Sequence, residues 1–136
     1  MELMMPSHSK VGLRLSQKEI VFLNNILNEV CHGFRVREFA VQIGMQERDA
    51  LRLLGTLQVM AKQMTSEEGQ SAPRDTTVVL DLSRRELVAL RNAIGVVIRE
   101  LGSEEFETRV GTAPGAAKAV LTELSNFIGA AGENRN

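Results

Sequence analysis

Cys31 and His32 are adjacent and form the only neighbouring pair of reactive side chains in the sequence. A cysteine nucleophile needs its base within hydrogen-bond reach, whereas neighbouring residues on a helix point about 100° apart. We therefore predict no catalytic residue here, but a half-buried thiol beside a surface imidazole near the end of a helix. The chain has one Cys and two His, so a metal site would need carboxylates to complete its three or four ligands. No spacing typical of metal ligands is present, and no metal is predicted.

Glu38 and Glu105 are a second candidate for chemistry, because they occupy equivalent places in two similar parts of the chain. Each precedes a phenylalanine at the predicted start of a short helix, where a carboxylate interacts favourably with the helix dipole. This position indicates a structural use. The motifs G-x-x-x-x-G-K-[ST], G-x-G-x-x-G, G-x-S-x-G and H-E-x-x-H are absent. The sequence therefore predicts a non-enzymatic protein with no cofactor.

The composition restricts the class of partner. Sixteen Lys and Arg against seventeen Asp and Glu give a net charge of −1, which supplies no bulk attraction to nucleic acid or to an anionic membrane. The most hydrophobic stretch, residues 87–98, has Arg91 and Asn92 in its middle and is far shorter than the ~20 residues that span a bilayer. A single cysteine cannot form an intramolecular disulfide, and this favours a reducing compartment. We predict a cytoplasmic protein without a membrane partner.

An internal repeat appears when the chain is moved along itself by 67 residues, which places Leu13 on Leu80. Residues 11–60 then match residues 78–127 without a gap. The identical pairs include Leu13 and Leu80, Leu15 and Leu82, Ser16 and Ser83, Glu19 and Glu86, Leu23 and Leu90, Asn25 and Asn92, Val30 and Val97, Glu38 and Glu105, Phe39 and Phe106, Gly44 and Gly111, Ala50 and Ala117, Leu54 and Leu121, and Leu57 and Leu124. We interpret the chain as a tandem duplication.

Each copy opens with the pattern of a strand and then of a helix start. Apolar residues alternate with other residues over 11–15 and again over 78–82, which is typical of a half-buried strand. The sequence S-x-x-E follows at residues 16–19 and 83–86 and predicts a capping box at the start of a helix. Since each copy offers one strand, we predict that the two strands pair as a central two-stranded ribbon covered by helices.

Three helices are predicted in each copy. The first buries one stripe at alternating spacings of three and four residues: Ile20, Leu23, Leu27, Val30 and Phe34 in the first copy, and Leu87, Leu90, Ile94, Val97 and Leu101 in the second. A short helix over residues 37–43 or 104–110 ends at Gly44 or Gly111, because glycine best adopts the left-handed conformation that ends a helix. A third amphipathic helix follows in each copy, and Pro114 lies near the start of the second of these.

The spacing of apolar and small residues around Gly44 resembles a helix-turn-helix, in which two helices cross tightly. The residues that carry this resemblance are Phe39, Ala40, Ile43, Gly44, Met45, Ala50 and Leu53. The resemblance implies a DNA-reading helix after Gly44. That helix offers Arg48 and Arg52, with Glu47 and Asp49 interleaved, which are few cations for contacts to phosphate.

Phe22 and Ile26 mark the clearest difference between the copies, because the second copy has alanine at the equivalent positions 89 and 93. The first long helix therefore carries a wider apolar arc than burial within one repeat requires. One interpretation is a protein-binding surface with Arg35 and Arg37 at its rim. The other is that Phe22 fills the space between the repeats, and the sequence does not choose between them. The role of Asn25 and Asn92, across a pseudo-dyad or towards a partner, is equally open.

The sequence thus predicts an α+β fold, predominantly α: one pseudo-two-fold domain made by tandem duplication of a strand, helix, short helix and helix around a two-stranded ribbon. The predicted parts are an N-terminal tail at 1–10, a first repeat at 11–64, a linker at 65–77, a second repeat at 78–131 and a C-terminal tail at 132–136. The predicted function is a small non-enzymatic protein-binding module of the adaptor, inhibitor or immunity-protein kind. Its expected partner is another protein or a second copy of the chain. The alternative is a DNA-binding regulator with duplicated helix-turn-helix-like units.

Overall fold

The strands form a three-stranded antiparallel sheet in the computed structural model, which describes residues 1–4, 10–66 and 76–133. The strands are β1 (Glu2–Leu3), β2 (Lys10–Ser16) and β3 (Thr77–Ser83), in the order β1-β2-β3. The helices are α1 (Gln17–Asn28), α2 (Phe39–Ile43), α3 (Glu47–Ser66), α4 (Arg84–Val110) and α5 (Pro114–Glu133). The chain is therefore α+β and mostly helical. Most of the predicted linker and the end of the C-terminal tail, residues 67–75 and 134–136, lie outside the described residues.

The pairing of β2 with β3 follows from their alternating side chains. The two strands are antiparallel, with Leu13 opposite Leu80 at the middle of the register. Leu13, Leu15 and Leu82 are fully buried on one face, while Arg14 and Asp81 are exposed on the other. The prediction of a two-stranded ribbon is wrong in its strand count, because Glu2–Leu3 adds an edge strand from within the predicted N-terminal tail. A strand of two residues is too short to show an alternating pattern.

The predicted capping boxes begin α1 and α4. The Ser16 hydroxyl accepts from the Glu19 amide, and the Ser16 amide donates to the Glu19 carboxylate at 2.9 Å. Ser83 and Glu86 make the same two hydrogen bonds. Both boxes satisfy main-chain amides that have no partner within the helix, so each strand passes directly into its helix.

The helices end differently in the two halves. α1 continues into a π-helical turn, Glu29–Gly33, and the chain then leaves the helix at Phe34. α4 instead continues to Val110, with a kink at Gly102, whose φ of 73° and ψ of 164° are not helical. The short helix predicted over residues 104–110 is therefore the last part of α4, and the one predicted over 37–43 begins at Phe39. Gly44 and Gly111 have the positive φ predicted for them.

One continuous core unites the two halves. The apolar stripes of α1 and α4 are buried in it, except that Phe34 and Leu101 are only partly covered. α3 packs against α1, and α5 packs against α4. α2 packs against α4, in the other half of the chain. No helix among the described residues is both long and apolar enough to cross a membrane.

Asn25 and Asn92 each bond to the main chain of the other half. The Asn25 side-chain amide donates to the Val110 carbonyl at 2.9 Å, and the Asn92 amide donates to the Ile43 carbonyl at 2.9 Å. These carbonyls belong to the last residues of α4 and α2, where main-chain acceptors lose their helical partners. The two asparagines therefore tie the halves together, which answers the question that the sequence left open.

Arg109 makes another link between the halves. Its guanidinium forms an ion pair with the buried carboxylate of Glu29 and donates to the Gly33 carbonyl at 2.9 Å. The paired oxygen, Oε1 of Glu29, accepts no well-aligned hydrogen bond in the described structure, so charge attraction is its main interaction. Arg109 also pairs with Glu105 at 3.2 Å. The π-helical turn is thus anchored to the end of α4.

Candidate protein-binding surface

The four residues predicted to form a partner surface are not all exposed. Ile26 is fully buried and Phe22 is 4% exposed, both within the core. Arg35 and Arg37 are exposed, in the segment between the π-helical turn and α2. The wide apolar arc of α1 is buried in the shared core, where α1 packs against both α3 and α4. Phe22 and Ile26 thus belong to the core, and the role of the four residues in binding a partner stays a prediction.

Phe22 does, however, contribute to the lining of a groove. The groove has a volume of about 640 Å³ and lies between α1 and the start of α5. We call it the α1–α5 groove and define it by Val21 and Phe22 on one side and Thr112, Ala116 and Val120 on the other. Four of these five side chains are apolar, so the groove offers a surface that an apolar group from outside could cover.

The internal repeat aligns two residues of this groove with larger, buried side chains in the first half of the sequence. Thr112 is equivalent to Met45, which is 4% exposed, and Val120 is equivalent to Leu53, which is also buried. Thr112 and Val120 are both partly exposed. The second half therefore has a partly exposed threonine at the position that the alignment pairs with a buried methionine.

The glycines that end α2 and α4 show the same difference. A Cβ atom placed on Gly44 would lie 3.3 Å from the Asn92 side chain and 3.7 Å from Val88, whereas one placed on Gly111 would meet no described atom within 4 Å. The end of α2 is therefore packed closely against α4, and the end of α4 leaves open space beside α1.

The polar groups of the α1–α5 groove are mostly satisfied within the chain. Glu19 forms an ion pair with the Met1 amino group at 2.7 Å, and the Asn25 amide is bonded to the Val110 carbonyl. Lys18 is exposed at the rim. This set of groups provides contact area and one positive charge, and it contains no nucleophile paired with a base.

Cys31 lies half-buried at the end of the first long helix, beside the exposed His32, as predicted. Burial and, to a smaller extent, the negative charge of Glu47 together raise the pKa of the Cys31 thiol to about 11. Because both causes disfavour the thiolate, which is the reactive form, the thiol is protonated at neutral pH. Its environment is the opposite of that of a catalytic cysteine.

Alkylation of Cys31 by iodoacetamide is expected to be slow at neutral pH. Its rate should rise about tenfold per pH unit, with a midpoint near 11 in the folded chain. The measurement is the pseudo-first-order rate followed by mass spectrometry across that pH range. The same chain in denaturant is the control, and its midpoint should fall near 9. A rate that already levels off near pH 9 in the folded chain would contradict the shift.

The two equivalent glutamates are used differently. Glu38 is exposed and precedes α2 in a left-handed conformation, with φ 50°, whereas Glu105 pairs with Arg109. Their equivalence in sequence therefore does not give them the same environment. Among residues 1–4, 10–66 and 76–133, no group of three or more His, Cys, Asp or Glu side chains could hold a metal ion.

The pair α2 and α3, which carries the helix-turn-helix resemblance, presents few free cations. Arg52 pairs with Asp49 at 3.7 Å, and Glu47 is exposed close to Arg48 in the sequence. Leu51 and Val59 are also exposed on α3. An exposed face that mixes carboxylates and apolar side chains is poorly suited to phosphate contacts.

Comparison of the chain with protein-family models, with curated proteins and with solved structures finds no match. The functional argument therefore rests on the geometry of the chain. Sequence reasoning missed the groove residues Thr112, Ala116 and Val120. The available signal was the pair Met45 and Thr112, since it aligns a large apolar residue with a small polar one in the internal repeat.

Proposed function

We propose that this protein is a non-enzymatic protein-binding module, of the adaptor, inhibitor or immunity-protein kind, that binds its partner in the α1–α5 groove. The observations that carry the proposal are the open α1–α5 groove and the burial of Met45, the residue that the internal repeat aligns with Thr112 of the groove. A groove with an apolar lining and few unsatisfied polar groups favours binding over catalysis.

We also propose that the two halves are copies of one unit related by a pseudo-two-fold axis. The register of β2 and β3 supports this, because Leu13 and Leu80 are equivalent and face each other. The bonds of Asn25 and Asn92 give further support, since they join equivalent donors to equivalent carbonyls. On this basis, the side chain of Met45 indicates the shape of the partner side chain that would occupy the α1–α5 groove.

The occupant of the groove, on this proposal, is an apolar side chain carried on a helix of the partner. Met45 supports a long, flexible apolar side chain such as methionine, because the internal repeat aligns it with Thr112 and it is buried in the turn between α2 and α3. Lys18 at the rim favours a carboxylate next to that side chain on the partner. This is the mode in which a helix places one or two anchor residues in a groove.

Ala116→Glu tests the α1–α5 groove. Ala116 is exposed, so the fold should tolerate the glutamate, but a charge in an apolar contact should weaken partner binding at least about tenfold. The tagged chain is used to isolate a stoichiometric partner from the cells that encode it, and affinities are then measured by interferometry. Thr122→Glu is the matched control, because Thr122 is exposed on the side of α5 turned away from the groove, and it should bind as the wild type does.

Thr112→Met is the complementary variant. If methionine covers the groove as Met45 covers its counterpart, partner binding should fall while thermal stability rises or is unchanged. Retention of full affinity by both Ala116→Glu and Thr112→Met would overturn the groove as the binding surface. Salt-sensitive retention on bulk DNA at low ionic strength, in place of a protein partner, would instead support the DNA-binding regulator.

A further inference from the structure

The outer edge of β3 has main-chain groups that point away from the sheet. The Met4 amide donates to the Gly12 carbonyl at 2.7 Å, so the main-chain groups of Gly12 face β1. Because these groups alternate in direction along an antiparallel strand, those of Leu13 face β3 and bond to Leu80, its partner in register. On β3, the amides and carbonyls of Thr77, Val79 and Asp81 then point outwards.

No strand from the described residues pairs with this outer edge. On β2 the corresponding edge is covered by β1, with Glu2 opposite Arg14. The usable part of the β3 edge is limited at one end, because the Ser83 amide donates to the Glu86 carboxylate at 2.8 Å. The open edge therefore consists of Thr77, Val79 and Asp81, with Val79 at its centre.

We propose that the β3 edge pairs antiparallel with β3 of a second copy of this chain, with Val79 on the two-fold axis of the dimer. In this register Val79 faces Val79 of the second copy, and Thr77 faces Asp81. Each facing pair exchanges both of its main-chain hydrogen bonds. The result is one continuous sheet, three strands from each copy, in which the β3 edge of each copy is no longer open.

The side chains of the β3 edge are complementary to each other in this register, and this favours a second copy of the chain as the partner. The Thr77 hydroxyl can donate to the Asp81 carboxylate across the axis, and two valines form a favourable cross-strand pair. With the axis on Leu80, Val79 would face the Asp81 carboxylate, and with the axis on Asp81 two carboxylates would face each other. The edge thus matches itself in one register.

The pairing would also cover apolar surface. The Val79 side chain is 48% exposed on the outer face of the sheet, and Val78 is half-buried on the helix-covered face at the same edge. Both lie where the second copy would pack. Because an edge pairing is a small interface, the dimer should have a dissociation constant in roughly the micromolar range.

Val79→Glu tests the pairing by sedimentation over a concentration series from about 1 µM to about 1 mM. In the single chain the glutamate lies opposite Arg14, so the fold should be kept. In the dimer two carboxylates face each other on the axis, and the dissociation constant should rise about tenfold or more. A wild-type chain that stays monomeric throughout the series overturns the proposal. A dissociation constant that is the same for the Val79→Glu chain and the wild type also overturns the proposal.

A disulfide tests the register. Residues that face each other in a hydrogen-bonded antiparallel pair have Cα atoms about 5.5 Å apart, within disulfide range. In a Cys31→Ala chain, Val79→Cys should oxidise to a covalent dimer. Val41→Cys is the control, because Val41 is 77% exposed on α2, away from the edge, and it should stay monomeric. Equal cross-linking of both variants overturns the register. Ala116→Glu should dimerise as the wild type does, so this proposal and the proposed function fail separately.

Discussion

Replacement of Phe106 by alanine is expected to lower the free energy of unfolding by about 3–5 kcal/mol. Phe106 is 1% exposed and is among the largest fully buried side chains of the core. Its loss removes apolar contact and leaves a cavity that the helices around it can only partly close. The measurement is urea unfolding followed by circular dichroism, with the dependence on urea concentration expected to stay constant.

The equivalent residue of the first half supplies the control for Phe106→Ala. Phe39 begins α2 and is only partly buried. Phe39→Ala should therefore cost less, about 1–3 kcal/mol, since part of its surface is already in water. Equal losses for the two variants would contradict the difference in packing between the ends of α2 and α4.

Replacement of Arg109 by methionine is expected to cost about 2–3 kcal/mol of stability. The guanidinium is the ion-pair partner of Glu29, which is buried, and removing it leaves a carboxylate out of water with no counter-charge. The value is below that for a fully buried pair because the Arg109 side chain is 29% exposed. The same urea experiment measures the loss.

Two further variants separate charge from packing at Arg109. Arg99 pairs with Glu100 and donates to Gln42, but its side chain is exposed, so Arg99→Met should change the stability by no more than about 0.5–1 kcal/mol. Adding Glu29→Leu to Arg109→Met should recover most of the loss, because the buried charge then disappears. If Arg109→Met costs no more than Arg99→Met, the Glu29 pair does not stabilise the fold.

Local patterns predicted the elements that depend on residues close in sequence. The two S-x-x-E boxes gave the starts of α1 and α4, since both partners of each hydrogen bond lie within four positions. Alternation gave β2 and β3, and the glycines at 44 and 111 gave the ends of the short helical segments. The strand Glu2–Leu3 was not predicted, because an alternating pattern cannot be recognised over two residues.

Contacts between the halves could not be predicted, because they depend on how distant elements pack. The sequence showed the width of the apolar arc at Phe22 and Ile26, but it did not show that this arc is buried in the core that α1 shares with α3 and α4. The way in which each long helix ends could not be predicted either. The spacing of apolar residues is similar in both copies, yet one helix ends in a π-helical turn at Gly33 and the other continues through a kink at Gly102.

The α1–α5 groove could not be predicted from the sequence for a related reason. A small residue such as Thr112 indicates an open surface only when a second, filled example shows what is missing. The internal repeat aligns Met45 with Thr112 and so supplies that example. The alignment becomes informative once the exposure of both side chains is known. A site defined by the absence of a side chain has no motif of its own.

The reciprocal bonds of Asn25 and Asn92 have a consequence for how the chain opens. Each asparagine lies on a long helix of one half and satisfies the last carbonyl of a helix in the other half. Fraying of α1 would release the end of α4, and fraying of α4 would release the end of α2. We therefore expect the two halves to open together, with similar hydrogen-exchange protection at the ends of α2 and α4.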